Sequence, residues 1–164
     1  MRTAATVHFA ITDRTRDPVV FEYIDGKLHI HYGEQYNMIT SEPSCNLTLT
    51  INTCWKTVWH YNFLPGTNRV ADRFARMTWI VDAVPPSLAG DAAEAEVMSL
   101  VRAISAPLCL SDPQKPNIAA TRWRTVADLD AGRYFFESVH TPSVFWVHLS
   151  KLHLKYGAPP LRLD

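Results

Sequence analysis

Leu64-Pro-Gly-Thr-Asn-Arg-Val-Ala-Asp-Arg-Phe74 runs a turn into a helix, and the rest of the chain is organised around it. Pro65 cannot donate a backbone hydrogen bond and Gly66 tolerates positive φ, so the pair marks a turn. Thr67 or Asn68 then offers the short polar side chain of a helix N-cap. Val70, Phe74, Met77, Val81 and Val84 follow at spacings of four and three, the stripe of an amphipathic helix that Pro85-Pro86 stops. On a wheel of about 100° per residue, Arg73 falls at the edge of that stripe, where its stem packs while its guanidinium reaches a polar cavity. Arg76 lies farther round and is expected to pair with Asp72, four residues back, as a surface arginine.

Outward from this segment, a second helix is expected from Asp91. It has Glu94 and Glu96 near its positive N-terminus, Val97, Leu100, Val101 and Ile104 on one face, and Pro107 beyond its end. On the N-terminal side, residues 7–11 and 19–24 read as strands. Asp25-Gly26 supplies the two positive-φ residues of a type I′ turn, and residues 27–32 return as the partner strand, so the chain opens as a β-meander. Residues 37–40 read as a further short strand ended by Pro43. The threonine- and tryptophan-rich stretch 44–60 reads as a helix. In the last third, residues 121–129 and 133–138 flank Asp130-Ala-Gly132 as a hairpin, residues 144–147 form another strand, and a surface tail follows. Strands, two central helices and strands again indicate an α+β fold, expected as a single domain over 1–164.

The bulk composition bounds the function. Of 164 residues, 47% are hydrophobic and 20% charged, a globular balance. Sixteen basic and sixteen acidic residues cancel, so no basic field points to nucleic acid or an anionic membrane as a partner. No apolar run reaches the roughly 18 residues of a spanning helix. Cys45, Cys54 and Cys109 form neither a disulfide framework nor a CxxC zinc pair. With no secretory signal in residues 1–13, a reducing, cytoplasmic setting is the expectation, and the Asn46-Leu-Thr48 sequon is read as a chance match.

Other constellations read as structural. His29 and His31 alternate on one strand as hairpin-face residues, so no metal is expected. Cys45 and Cys54, even with His60 nearby, read as packing thiols among Trp55, Trp59 and Tyr61. Trp123, Phe135, Phe136, Phe145 and Trp146 lack the basic groove of a base-stacking platform and read as sheet packing.

Three segments carry a resemblance: Thr40-Ser-Glu-Pro43, the Leu64–Phe74 stretch, and Thr121-Arg-Trp-Arg-Thr-Val-Ala-Asp128. In order and spacing they resemble the C-terminal half of the choloylglycine hydrolase family, the linear-amide C–N hydrolases that include bile-salt hydrolases and penicillin V acylases. Supporting segments are Val19 to His31, Ser111-Asp-Pro-Gln-Lys-Pro-Asn117 and Phe145-Trp-Val-His-Leu-Ser-Lys-Leu152. The resemblance implies part of the αββα sandwich of the N-terminal-nucleophile (Ntn) hydrolases, with no cofactor. In that family an N-terminal cysteine thiolate attacks the amide carbonyl and its own α-amine acts as base. This chain opens Met1-Arg-Thr-Ala-Ala5, so the 164 residues alone are expected to be inactive. Two family positions are matched. The active-site arginine that follows the Leu-Pro-Gly turn corresponds to Arg73. The oxyanion-stabilising asparagine of the family's Thr-Asn-x-Pro segment corresponds to Ser41, a shorter donor. Cys109 stands where the family has a glycine. The expected partners are an N-terminal half chain or a second copy, with a small amide as substrate only after complementation. The alternative is a non-catalytic binding or structural remnant. In either case the isolated chain is expected to expose sheet edges and apolar surface.

Overall fold

A computed structural model describes residues 8–13, 15–40, 44–61, 63–110, 120–141 and 143–162. The chain divides into two compact units, residues 1–121 and 122–164. Among the described residues the elements are α+β, with three α-helices and two three-stranded antiparallel sheets.

In the first unit, β1 (Phe9–Thr12), β2 (Pro18–Ile24) and β3 (Lys27–Tyr32) pair in sequence order. Asp25 (φ 50) and Gly26 (φ 76) make the expected turn, and the register sets Val20 between Ala10 and His31 and Glu22 opposite His29. Strand alternation then sorts the two faces. Val20, Glu22 and His31 are buried on one; Phe9, Ile11, Tyr23, Leu28, Ile30 and Tyr32, on the other, are all exposed, Tyr32 to 63%. An apolar sheet face is thus left uncovered, as expected for this chain alone. The strand expected over 37–40 does not form. Gly33 (φ 104) swings the chain off the sheet edge into a 3₁₀ turn, Glu34–Tyr36, and irregular backbone follows.

The stretch read as helical is α1 (Cys45–Lys56), followed by a 3₁₀ turn, Trp59–Tyr61. Thr50, Thr53 and Thr57 bond back to the carbonyls of Asn46, Leu49 and Cys54 at 3.0, 3.1 and 2.6 Å, so the threonines spend their hydroxyls on the helix itself. The helix α2 (Val70–Ala83) buries Phe74, Ala75 and Thr78, and α3 (Gly90–Ala103) buries Met98 and Leu100. Of the expected α3 stripe, Leu100 is buried and Val101 and Ile104 are half-buried, but Val97 is 44% exposed and Met98 is buried in its place. Buried Asn52 of α1 reaches Thr78 of α2 at 3.4 Å, and Thr78 in turn bonds Phe74 O.

The second unit holds β4 (Trp123–Asp128), β5 (Arg133–Ser138) and β6 (Val144–His148), again neighbours in sequence order, then a 3₁₀ turn, Leu149–Lys151. Asp128 Oδ1 accepts from the N–H groups of Asp130 and Ala131 at 2.9 and 2.8 Å, and Gly132 takes φ 62, closing the β4–β5 hairpin. Arg124 pairs with buried Glu137 at 3.0 Å. The aromatic residues do not all pack as expected. Phe135 and Phe136 are half-buried, whereas Trp123, Phe145 and Trp146 are exposed. Adjacent residues of a strand face opposite sides, so Phe145 lies on the Phe136 face and Trp146 on the Phe135 face, and both faces of this sheet leave aromatic rings exposed. Among the described residues, no helix is long and apolar enough to cross a membrane.

Candidate functional site

The turn before α2 is held from behind. Arg76 Nη1 donates to Pro65 O and to Thr67 O, each at 2.8 Å. Arg76 is therefore a clasp on the Pro65-Gly66-Thr67 backbone and not the surface partner of Asp72 that helical spacing suggested. Thr67 does not cap the helix end directly either. The first helical bond runs from Arg73 N to Arg69 O, and Arg69 occupies the N-cap position. Thr67 Oγ1 accepts from Arg69 N at 3.2 Å and donates to the Asp72 carboxylate, so the threonine is tied to the first turn through an acid. A carboxylate there also offsets the positive end of the helix dipole.

Arg73 sits on that first turn, half-buried, its peptide N–H in the helix ladder. Among the described residues, its buried Nε has no hydrogen-bond partner. Burial, and then the nearby charge of Arg76, pushes its pKa below the usual arginine value. Three unfavourable conditions meet at one guanidinium: desolvation, a like charge, and the positive end of a helix. Such a group is suited to binding an anion or a developing negative charge, which would relieve all three.

A second polar cluster lies on the buried face of the first sheet. Glu22 is 1% exposed. His31 Nε2 donates to its Oε2 at 3.0 Å, and the Cys45 peptide N–H donates to its Oε1 at 3.1 Å. His8 Nε2 is also 3.0 Å from Oε1, within ion-pair distance but not aligned for a hydrogen bond, and neither of its ring nitrogens has a hydrogen-bond partner among the described residues. Burial and the adjacent Glu22 carboxylate push the Cys45 thiol up to about 11, so in the metal-free chain it is protonated at neutral pH and is a poor nucleophile. The expectation that His31 is a hairpin-face residue needs correcting, because it is buried and bonded to an acid on the neighbouring strand.

Residues 1–160 match the family model of the linear amide C–N hydrolases, choloylglycine hydrolase family. The chain belongs to that family. It is 40% identical over 173 aligned residues to a penicillin V acylase of Pectobacterium atrosepticum, an alignment covering 98% of this chain and 46% of that protein. The solved penicillin V acylase from Agrobacterium tumefaciens is similar at a TM-score of 0.85 and 42% identity, over 95% of this chain and 49% of that one. A conjugated bile acid hydrolase from Clostridium perfringens shares the fold at a TM-score of 0.72 and 16% identity, over 88% of this chain and 50% of its own. The chain thus spans about half the length of the relatives it matches. Its α+β fold is that of part of an Ntn hydrolase.

Of the two choloylglycine hydrolase positions expected from the sequence, Arg73 has the geometry given above and Ser41 lies outside the described residues. Cys109, expected from the resemblance to stand at a family glycine position, adopts φ 62, the left-handed conformation that favours glycine. Cys54 is exposed on the last turn of α1, while Cys45 is buried at its start. The grouping of His8, Glu22 and Cys45 was missed in the sequence. The spacing of His29 and His31 drew attention along one strand, when the useful neighbours lie across strands. The one available signal was a glutamate at an inward position of β2, which needs a buried partner.

Proposed function

We propose that this chain is the C-terminal part of a penicillin V acylase-like hydrolase of linear amides, and that these 164 residues alone do not turn over substrate. The carrying observation is Arg73, a half-buried cation with an unpartnered Nε among the described residues, placed at the positive end of α2. The 40% identity to a penicillin V acylase supports the substrate class. In this reading, the nucleophilic thiolate and its amine belong to the N-terminal half of the family fold, which these 164 residues do not span. Arg73 holds the negative charge of the thiolate or of the substrate. Its stem packs at the edge of the α2 stripe, and the Arg76 clasp fixes the turn beside it. The Ser41 hydroxyl donates to the oxyanion as the carbonyl becomes tetrahedral, a role an asparagine amide fills in the family.

The test is reconstitution. The chain is co-expressed with the N-terminal half of the Pectobacterium acylase, and hydrolysis of penicillin V and of a conjugated bile salt is measured. Turnover is expected in the complex, absent from the chain alone, and lost in Arg73→Ala. Turnover by the chain alone that disappears in Arg73→Ala overturns the proposal. The second reading, a non-catalytic remnant, draws support from Cys109, whose left-handed backbone (φ 62) suits glycine better than a side chain. It predicts a folded complex that does not hydrolyse either amide.

A further inference from the structure

We propose that His8, Glu22 and Cys45 form a buried site for a divalent cation of the zinc type, with His31 as the residue that orients the carboxylate. This inference does not depend on the amidase reading. The ligating atoms of the three side chains all lie within 4.8 Å of one another. Ligands of a tetrahedral zinc, bound at about 2.0–2.3 Å, stand roughly 3.3–3.8 Å apart, so small side-chain rotations suffice to close the site. A set of imidazole nitrogen, carboxylate oxygen and thiolate sulfur, the Cys45 thiol giving up its proton to solvent as the ion binds, suits zinc or cobalt and disfavours calcium and magnesium, which take oxygen ligands.

The second observation is His8 itself. Its side chain is 3% exposed and neither ring nitrogen has a hydrogen-bond partner among the described residues; Nε2 lies 3.0 Å from the Glu22 carboxylate, close enough for an ion pair but out of line for a hydrogen bond. A cation between them gives that nitrogen a partner. The carboxylate is already held for the task, by His31 Nε2 on Oε2 and by the Cys45 peptide N–H on Oε1. Outer contacts of this kind fix the direction of a metal ligand. The scaffold is regular secondary structure. His8 continues the register of β1 opposite Glu22 of β2, and Cys45 opens α1. Three protein ligands leave a fourth position for water.

The decisive measurement uses the unaltered 164-residue chain with one equivalent of zinc. X-ray absorption at the zinc edge is expected to show one sulfur at about 2.3 Å with nitrogen and oxygen at about 2.0–2.2 Å. Zinc that remains unbound, or a shell with no sulfur, overturns the proposal. Cobalt(II) then assigns the sulfur in a Cys54→Ser/Cys109→Ser chain. A sulfur-to-cobalt charge-transfer band is expected there, and its loss in Cys45→Ser. A band that persists without Cys45 overturns the assignment. His31→Gln is expected to keep the spectrum and weaken binding by about 10–100-fold. An unchanged affinity refutes its orienting role.

Discussion

Replacing Arg73 with methionine separates a site residue from a structural one by the sign of a stability change. Methionine keeps the stem that packs beside α2 but removes the charge and the unpartnered Nε. An unsatisfied buried polar group costs about 1–3 kcal/mol. Arg73 as a whole is only half-buried, so the lower part of that range applies. Relief of repulsion from Arg76 adds a few tenths of a kcal/mol after solvent screening. Arg73→Met should therefore stabilise the chain by about 1–2 kcal/mol. With a urea slope of about 2 kcal/mol/M, the midpoint rises by roughly 0.5–1 M. The assay is urea unfolding followed by tryptophan fluorescence at low chain concentration, where association is suppressed. In the reconstituted enzyme, the same variant should lose on the order of 100-fold or more in rate. A structural ion pair predicts the opposite sign, since breaking a buried pair costs about 3–5 kcal/mol. A lowered midpoint in Arg73→Met would refute the reasoning.

Arg76→Ala removes two charge-assisted hydrogen bonds from the Pro65–Thr67 backbone and should destabilise the chain by about 2–4 kcal/mol in the same urea experiment. Arg76→Lys should recover only part of this, because its flexible ammonium lacks the rigid fork of a guanidinium. Cys109→Gly should stabilise by about 1 kcal/mol by relieving a left-handed backbone, read as a rise of roughly 2–4 °C in melting temperature. In metal-free chain at pH 8, mass spectrometry should find Cys54 and Cys109 alkylated readily, and Cys45, buried and with its thiol pushed up to about 11, modified only after unfolding. Ser41→Asn should raise the rate of the reconstituted enzyme by about 100-fold, measured as penicillin V hydrolysis, if the hydroxyl is the weaker oxyanion donor.

The fold was legible where local chemistry dictates backbone. Asp25-Gly26 and Asp130-Ala-Gly132 announced two hairpins, and both close as expected. The helix after Pro65-Gly66 was visible in its apolar spacing. Its cap was not, because Thr67 bonds Asp72 and Arg69 in a geometry that no dipeptide preference encodes. The strand at 37–40 failed since four residues carry too little pattern to outweigh the turn at Gly33. For the candidate site, helical spacing put Arg73 beside the core but gave Arg76 the wrong partner, because the Pro65 and Thr67 carbonyls come from a turn outside the helix. The cluster around Glu22 joins residues 14 and 23 positions away from it, and only strand register and the start of α1 bring them together. Such groupings are tertiary and leave little trace in linear spacing.

Among the described residues, both sheets are meanders whose strands pair with their neighbours in sequence. Neither has to wait for a remote segment to arrive before its ladder forms. Loop-closure entropy is small for such neighbours, and low contact order favours rapid folding. Each hairpin can therefore assemble as it leaves the ribosome, so a pulse-labelling experiment should find β2 and β3 protected from hydrogen exchange among the earliest amides.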